Sequence, residues 1–555
     1  MKKKIIKISI LLTSLVVLGG YLNKEKYNQN DETLAIFLNE ERTESIPSKE
    51  EYSFDKAICT VDGTITEEVK VEWDEESWAP ILYNVKDHST KCNLYFKERY
   101  QEEILNEADP VLQNDLIPVT IDNDGTVKKA DLGRKWYSYT DKEWANAVLL
   151  LDNTVYYEPG ETIPEEAIES YFVWIPKYRY QLWDLGEYDE LTTIDTTKVH
   201  EIPIIFGDYN TSDSVEGECT TPMESGATGN CEVGDYMTHP AFLSIPSTGF
   251  WVGKFETGYK GATTTEEAQV NEIDSAKVII KPNAYSWRGI QVANAFYTSY
   301  NYQKNLDSHM MKNTEWGAVA YLQHSKYGSA LNLRANNNVN FVTGYGNTTD
   351  FTCFYTGLNE DCNRVESVLP GVNGNFSKSY ATSDGVLANT TGNISGVYDM
   401  SGGAWEYVSS LMLSPNNEVL VGNKVGEETG FTGVLSSTGE VTTGLPLPDV
   451  KYYDVYLNSS KTMHDYNKRI LGDATGEMGP FQESESLTTI KNDSSWYTAK
   501  SDFLGIFTHY GITFIRGGTF QKYVSIGKQT GIFGFTSGAG ELNLDRSFRL
   551  VLTPV

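Results

Sequence analysis

The stretch "GVYDMSGGAWEYV" runs from Gly396 to Val408. Asp399 and Glu406 flank a tight "SGGA" turn inside an aromatic and aliphatic frame. Two carboxylates around glycines can hold a hard cation, since such an ion takes about six to eight oxygens and glycine lets the backbone turn its carbonyls inward. The same pattern also fits a plain helix cap, with Asp399 on main-chain amides, Trp405 in the core and Glu406 in water. Which reading holds depends on the segments that accompany the turn.

Around it, from Trp136 onward, the chain is rich in Gly, Asn, Ser, Thr and aromatic residues. Short strand-like runs recur: "SYFVWIPKYRYQLW", "GFWVGKFETGY", "AKVIIKP", "ITFIRGG" and "SFRLVL". Helix patterns are two. "TDKEWANAVLL" (Thr140–Leu150) opens with a capping Thr, and "KNTEWGAVAYLQHSKYG" (Lys312–Gly328) places Trp316, Val319, Ala320 and Gln323 on one face before a stop at Gly328. Together these predict an α+β domain of high loop content.

Five of these segments occur in a telling order: "GFWVGKFETGY" (Gly249–Tyr259), "NTEWGAVAYL" (Asn313–Leu322), the turn, "FIRGGTF" (Phe514–Phe520) and "RSFRLVL" (Arg546–Leu552). The order resembles that of the formylglycine-generating enzyme family, or sulfatase-modifying-factor domains, over roughly residues 136–555, with inserts near 184–240 and 410–500. The resemblance implies a loop-rich variant of the C-type lectin-like fold. It also implies structural calcium at the turn, with Asp399, Gly402, Ala404 and Glu406 as ligands. The helix cap stays open beside it.

The same likeness breaks at the chemistry. Enzymatic members bind copper through two cysteines shortly after "RGG", and the matching positions here are Lys522 and Gly527. No cysteine follows Cys362, so soft-metal ligation of that kind cannot be assembled. G-x-S-x-G, Walker and H-E-x-x-H signatures are absent too. A non-catalytic member is expected. In related binding domains, including the variable ligand-binding proteins of diversity-generating retroelements, this region lines the binding face. The candidates here are Gln521, Lys522, Tyr523, Lys528, Phe533 and Phe535. Rigid aromatics beside adaptable polar groups suit recognition. Alternatively, "GIFGF" buries both phenylalanines at period two.

Upstream, three lysines precede an apolar run over residues 5–22, an export signal that reads as an uncleaved membrane helix or as a cleaved leader. A polar stalk (23–32), a small all-β module (33–98) with an Asp62-Gly63 turn, and a connector (99–135) containing the hairpin-like "VTIDNDGTVKKA" follow. The six cysteines form sequential couples, Cys59 with Cys92, Cys219 with Cys231 and Cys353 with Cys362, as local bridges in an exported protein would. No C-x-x-C and no H-x-x-x-H suggests a zinc site.

At 555 residues and 40% hydrophobic, the chain has room for roughly two to four domains. Its net charge of −31 repels phosphate backbones, which removes nucleic acid as a default partner. The expected function is an exported, cell-surface protein, membrane-tethered or secreted, that binds an extracellular glycan or protein ligand. The rivals are a metal-dependent enzyme of the same family with altered chemistry and a structural stalk subunit.

Overall fold

The computed structural model describes residues 34–39, 42–43, 52–66, 68–74, 78–84, 90–98, 108–113, 115–183, 201–207, 231–329, 333, 335–336, 364–365, 379–383, 385–413, 429–431, 444–457, 470–475, 513–518, 532–538 and 540–554. The chain divides into two compact units between Asn106 and Glu107.

In the first unit a five-stranded sheet takes the order Arg42–Thr43, Leu34–Asn39, Thr90–Glu98, Tyr52–Val61, Thr64–Ile65. Asp62 and Gly63, at φ 52° and 80°, make the two-residue turn that pairs Val61 with Thr64. Asp-Gly suits this position because both turn residues must take positive φ. Cys59 lies opposite Cys92 in the ladder and is bonded to it. Leu94 is fully buried, with Phe54, Val71, Trp73, Trp78 and Leu82 packed around it. So small a core is marginal alone, and the covalent cross-link offsets part of that deficit.

The second unit is built on an antiparallel eight-stranded sheet, in the order Thr162–Ile163, Val127–Lys129, Ile117–Ile121, Asn146–Leu150, Ile168–Pro176, Gly249–Gly253, Leu550–Leu552, His309–Met310. Its central strand reads "IESYFVWIP", and residues 170–176 are all buried. An unbroken apolar run suits a strand covered on both faces. A four-stranded sheet carries the C-terminal motifs, in the order Phe535–Gly538, Thr513–Arg516, Trp405–Tyr407, Arg546–Phe548. Leu550–Leu552 then enters the large sheet beside Gly249–Gly253, so the end of the chain ties the two sheets together. The described residues also form two α-helices of 11 residues, Val292–Tyr302 and Asn313–Gln323, and smaller sheets, among them one of three strands.

Several expectations are corrected. The described residues are mainly β-strand with two α-helices, so the α+β, C-type lectin-like class gives way to a mainly β architecture. The N-terminal membrane helix is withdrawn as an element of the fold. Residues 1–22 lie outside the described residues, and among the described residues no helix is long and apolar enough to cross a membrane. The stalk also lies outside them. Within Thr140–Leu150 there is no helix: Asn146–Leu150 is a strand, buried throughout between Ile117–Ile121 and Ile168–Pro176. Pairing on both edges overrides the local helical preference of "EWANAVLL". Residues 115–135, read as connector, belong to the second unit, where "VTIDNDGTVKKA" supplies a hairpin of the large sheet. Helix Asn313–Gln323 forms where its pattern lies, but all eleven residues are buried. Helix Val292–Tyr302 was not foreseen, although Val292, Ala293, Ala295, Phe296 and Ser299 line its buried face.

Candidate functional site

The acidic turn is assembled from segments far apart in sequence, and main-chain bonds hold it on every side. Past the strand Gly249–Gly253, the N–H of Tyr398 donates to Lys254 O at 2.7 Å, and Phe255 stacks on Tyr398 with centroids 5.1 Å apart. The N–H of Gly402 reaches Gly517 O at 2.8 Å, and that of Trp405 reaches Asp545 O at 2.9 Å. Gly402 and Gly403 sit at φ 84° and 83°, where a side chain would be strained. Lys254 is fully buried and donates to Asn146 Oδ1 (2.8 Å), Ile394 O (2.7 Å) and Gly396 O (2.8 Å). All three acceptors are neutral, and burial pulls its ammonium pKa well below the usual lysine value.

At the centre, Glu406 and Arg549 form a two-pronged ion pair with no exposed surface. Arg549 Nε donates to Oε2 at 2.8 Å and Nη2 to Oε1 at 2.7 Å, while Nη1 holds Gly253 O at 2.8 Å. Glu256, also fully buried, accepts from Ser286 Oγ. Burial and the nearby Glu406 push the Glu256 carboxyl up to about 8, so it is mostly protonated at neutral pH. Asp399, at φ 62°, accepts the Glu256 N–H at 3.3 Å.

This geometry does not fit the calcium expectation. Both oxygens of Glu406, the carboxylate such an ion would draw on, are taken by a guanidinium, and a cation there would face the charge of Arg549 at close range. Among the described residues no group of three or more His, Cys, Asp or Glu side chains could hold a metal ion. The helix-cap alternative fails as well, because Trp405–Tyr407 is a strand and Glu406 is buried. What the turn does is lock Gly249–Gly253, Trp405–Tyr407 and Arg546–Phe548 together through one ion pair. Sequence reasoning missed it because its halves lie 143 residues apart and Arg549 was read only as part of a strand.

Of the ligand-binding candidates, Gln521, Lys522, Tyr523 and Lys528 lie outside the described residues. Phe533 and Phe535 are 1% and 0% exposed. Phe533 packs 4.9 Å from the His324 ring and Phe535 6.1 Å from that of Phe514, so both belong to the interior and neither is offered to a ligand. Period-two burial, the alternative for "GIFGF", accounts for them. Cys231 is disulfide-bonded, while Cys219, Cys353 and Cys362 lie outside the described residues.

A second buried polar cluster surrounds the start of helix Asn313–Gln323, and its residues were not singled out from the sequence. Glu315 accepts the Lys312 N–H at 2.8 Å and lies 3.0 Å from His309 Nε2. Asp454 accepts from Thr314 N at 2.7 Å, and burial raises its carboxyl to about 6. Asp473 gathers the Thr475 N–H (2.6 Å), Tyr456 OH (2.8 Å) and Asn313 Nδ2 (3.2 Å). Beside it Arg516 is fully buried. Two of the segments that build this cluster, 454–457 and 470–475, lie in the insert near 410–500, while 513–516 belongs to the "ITFIRGG" run.

Comparison with protein-family models and with curated proteins returns no match for this chain.

Proposed function

We propose that the second unit is a non-catalytic relative of the formylglycine-generating enzymes that works by binding an extracellular glycan or protein. The observation that carries this reading lies in the sequence: framework motifs are kept, while Lys522 and Gly527 stand where the family's copper-binding cysteines would be. The buried ion pair adds support. Glu406 and Arg549, from two of those motifs, are spent on holding strands together and offer no reacting group to solvent. Export is supported by the basic-apolar start and by the Cys59–Cys92 bond, since such bonds persist in oxidising compartments. Calcium has no part in the proposal, because the carboxylate it needs is already neutralised.

The test is a screen of the purified, oxidised protein on glycan and protein arrays. Saturable binding of one ligand class, retained when the first unit is blocked by an antibody, supports the reading. Binding that the antibody abolishes moves recognition to the first unit, and no binding at all favours a structural role.

A further inference from the structure

Arg516 ends the strand Thr513–Arg516 with no exposed surface. Its guanidinium carbon lies 5.6 Å from the Trp316 ring and 5.5 Å from the Phe535 ring, which supply a favourable quadrupole but no hydrogen-bond acceptor for its N–H groups. Nη2 makes one long contact, 3.5 Å to Ala474 O. Nε and Nη1 meet no acceptor among the described residues. Asp473, the anion beside it, is engaged elsewhere: its oxygens accept from Thr475, Tyr456 and Asn313. A buried cation left this short of acceptors is costly unless something supplies them. Burial accordingly lowers its pKa to about 10. The backbone around it is also unusual. Ala474 is held at φ 57°, next to Gly472 at 92°, and Gly517 and Gly518 follow the arginine at 84° and 101°. Of these only Ala474 is strained, since glycine takes positive φ freely.

We propose that Arg516 is the recognition group of a buried site for a small monovalent anion, a carboxylate or halide. The site is bounded by Trp316 of the second helix, the Gly472–Thr475 turn and Phe535. The anion accepts from Nε and Nη1, the two donors that meet no acceptor among the described residues, and fastens the turn to the strand. Two alternatives in the same interior are weaker. Lys254 has three good acceptors, and the ≈ 40 Å³ apolar cavity lined by Val292, Phe296, Leu411 and Phe431 is too small for an organic ligand. The proposal does not depend on the array ligand, so its failure leaves the binding reading standing.

The test uses the whole chain. Sodium formate is titrated at constant ionic strength against sodium gluconate, whose bulk excludes it from a closed interior, while thermal unfolding is followed. The expected result is a saturable rise in the Tm of the second unit with formate, absent in Arg516→Met. Without formate the methionine variant should melt lower than wild type, because buried Asp473 loses the cation beside it, so the formate-dependent rise and not the starting Tm is the readout. If that variant fails to fold, the wild-type titration alone decides, with crystals grown in bromide as the second measurement. An anomalous peak within hydrogen-bond distance of Nε or Nη1 supports the site. A flat formate response, or a water in place of bromide, overturns it.

Discussion

Glu406 shows how a residue can stand out in a sequence while the side chain it pairs with stays hidden. Its acidity and the glycines before it were visible; the guanidinium that claims both its oxygens was not, because ion pairing across 143 residues leaves no local pattern. Removing one member of a buried pair strands the other, at a typical cost of about 3–5 kcal/mol. Arg549→Met should therefore lower the unfolding free energy of the second unit by about that much in urea, and adding Glu406→Gln should restore part of the loss. A double variant that loses the sum of the two single losses would mean the pair is not coupled. Glu256 makes a separate, pH-dependent claim. Its folded pKa of about 8 lies above the unfolded value of 4.5, so between those values the folded state binds more protons. Its contribution is therefore fully present below pH 4.5 and is lost as pH rises to 8, with a slope of up to about 1.4 kcal/mol per pH unit. Glu256→Gln keeps an acceptor for Ser286 and should flatten that slope. An unchanged pH profile would show that Glu256 titrates normally.

Elements were legible where pattern and packing agree, and misread where a neighbour decides. The central strand Ile168–Pro176 announces itself through the continuous apolar run "YFVWIP" of residues 171–176. Asn146–Leu150 does not, since a short apolar segment after "TDKEW" suits helix and strand alike until two flanking strands pair with it. The fully buried helix Asn313–Gln323 was found through Trp316, Val319 and Ala320, but its lack of a polar face could be known only from what covers it. That cover includes main chain: a Cβ placed on Gly317 would lie 2.0 Å from Gly472 O. In an exposed helix, Gly→Ala gains roughly 1 kcal/mol. Here the contact reverses the sign, and Gly317→Ala should destabilise the second unit by about 1–3 kcal/mol in denaturant titrations. A stabilised variant would mean that helix and turn do not meet.

At the scale of the whole molecule, the break between a small stapled β unit and a large one was close to readable from composition and cysteine spacing, although the second unit begins earlier than Trp136 because residues 115–135 supply two of its strands. The proportion of helix was overestimated: helical patterns in an aromatic, glycine-rich chain were taken at face value when sheet pairing used one of them. For function, the sequence speaks through what it lacks, and the described interior adds two polar clusters that bind strands and turns to one another. If the unit recognises but does not react, catalysis is where the account is most exposed. The deciding measurement incubates the purified chain with copper, oxygen and a cysteine peptide of the sulfatase type and follows the peptide by mass spectrometry. The account predicts that the cysteine is recovered without conversion to formylglycine at any incubation time, and turnover to formylglycine above a no-protein control would contradict it.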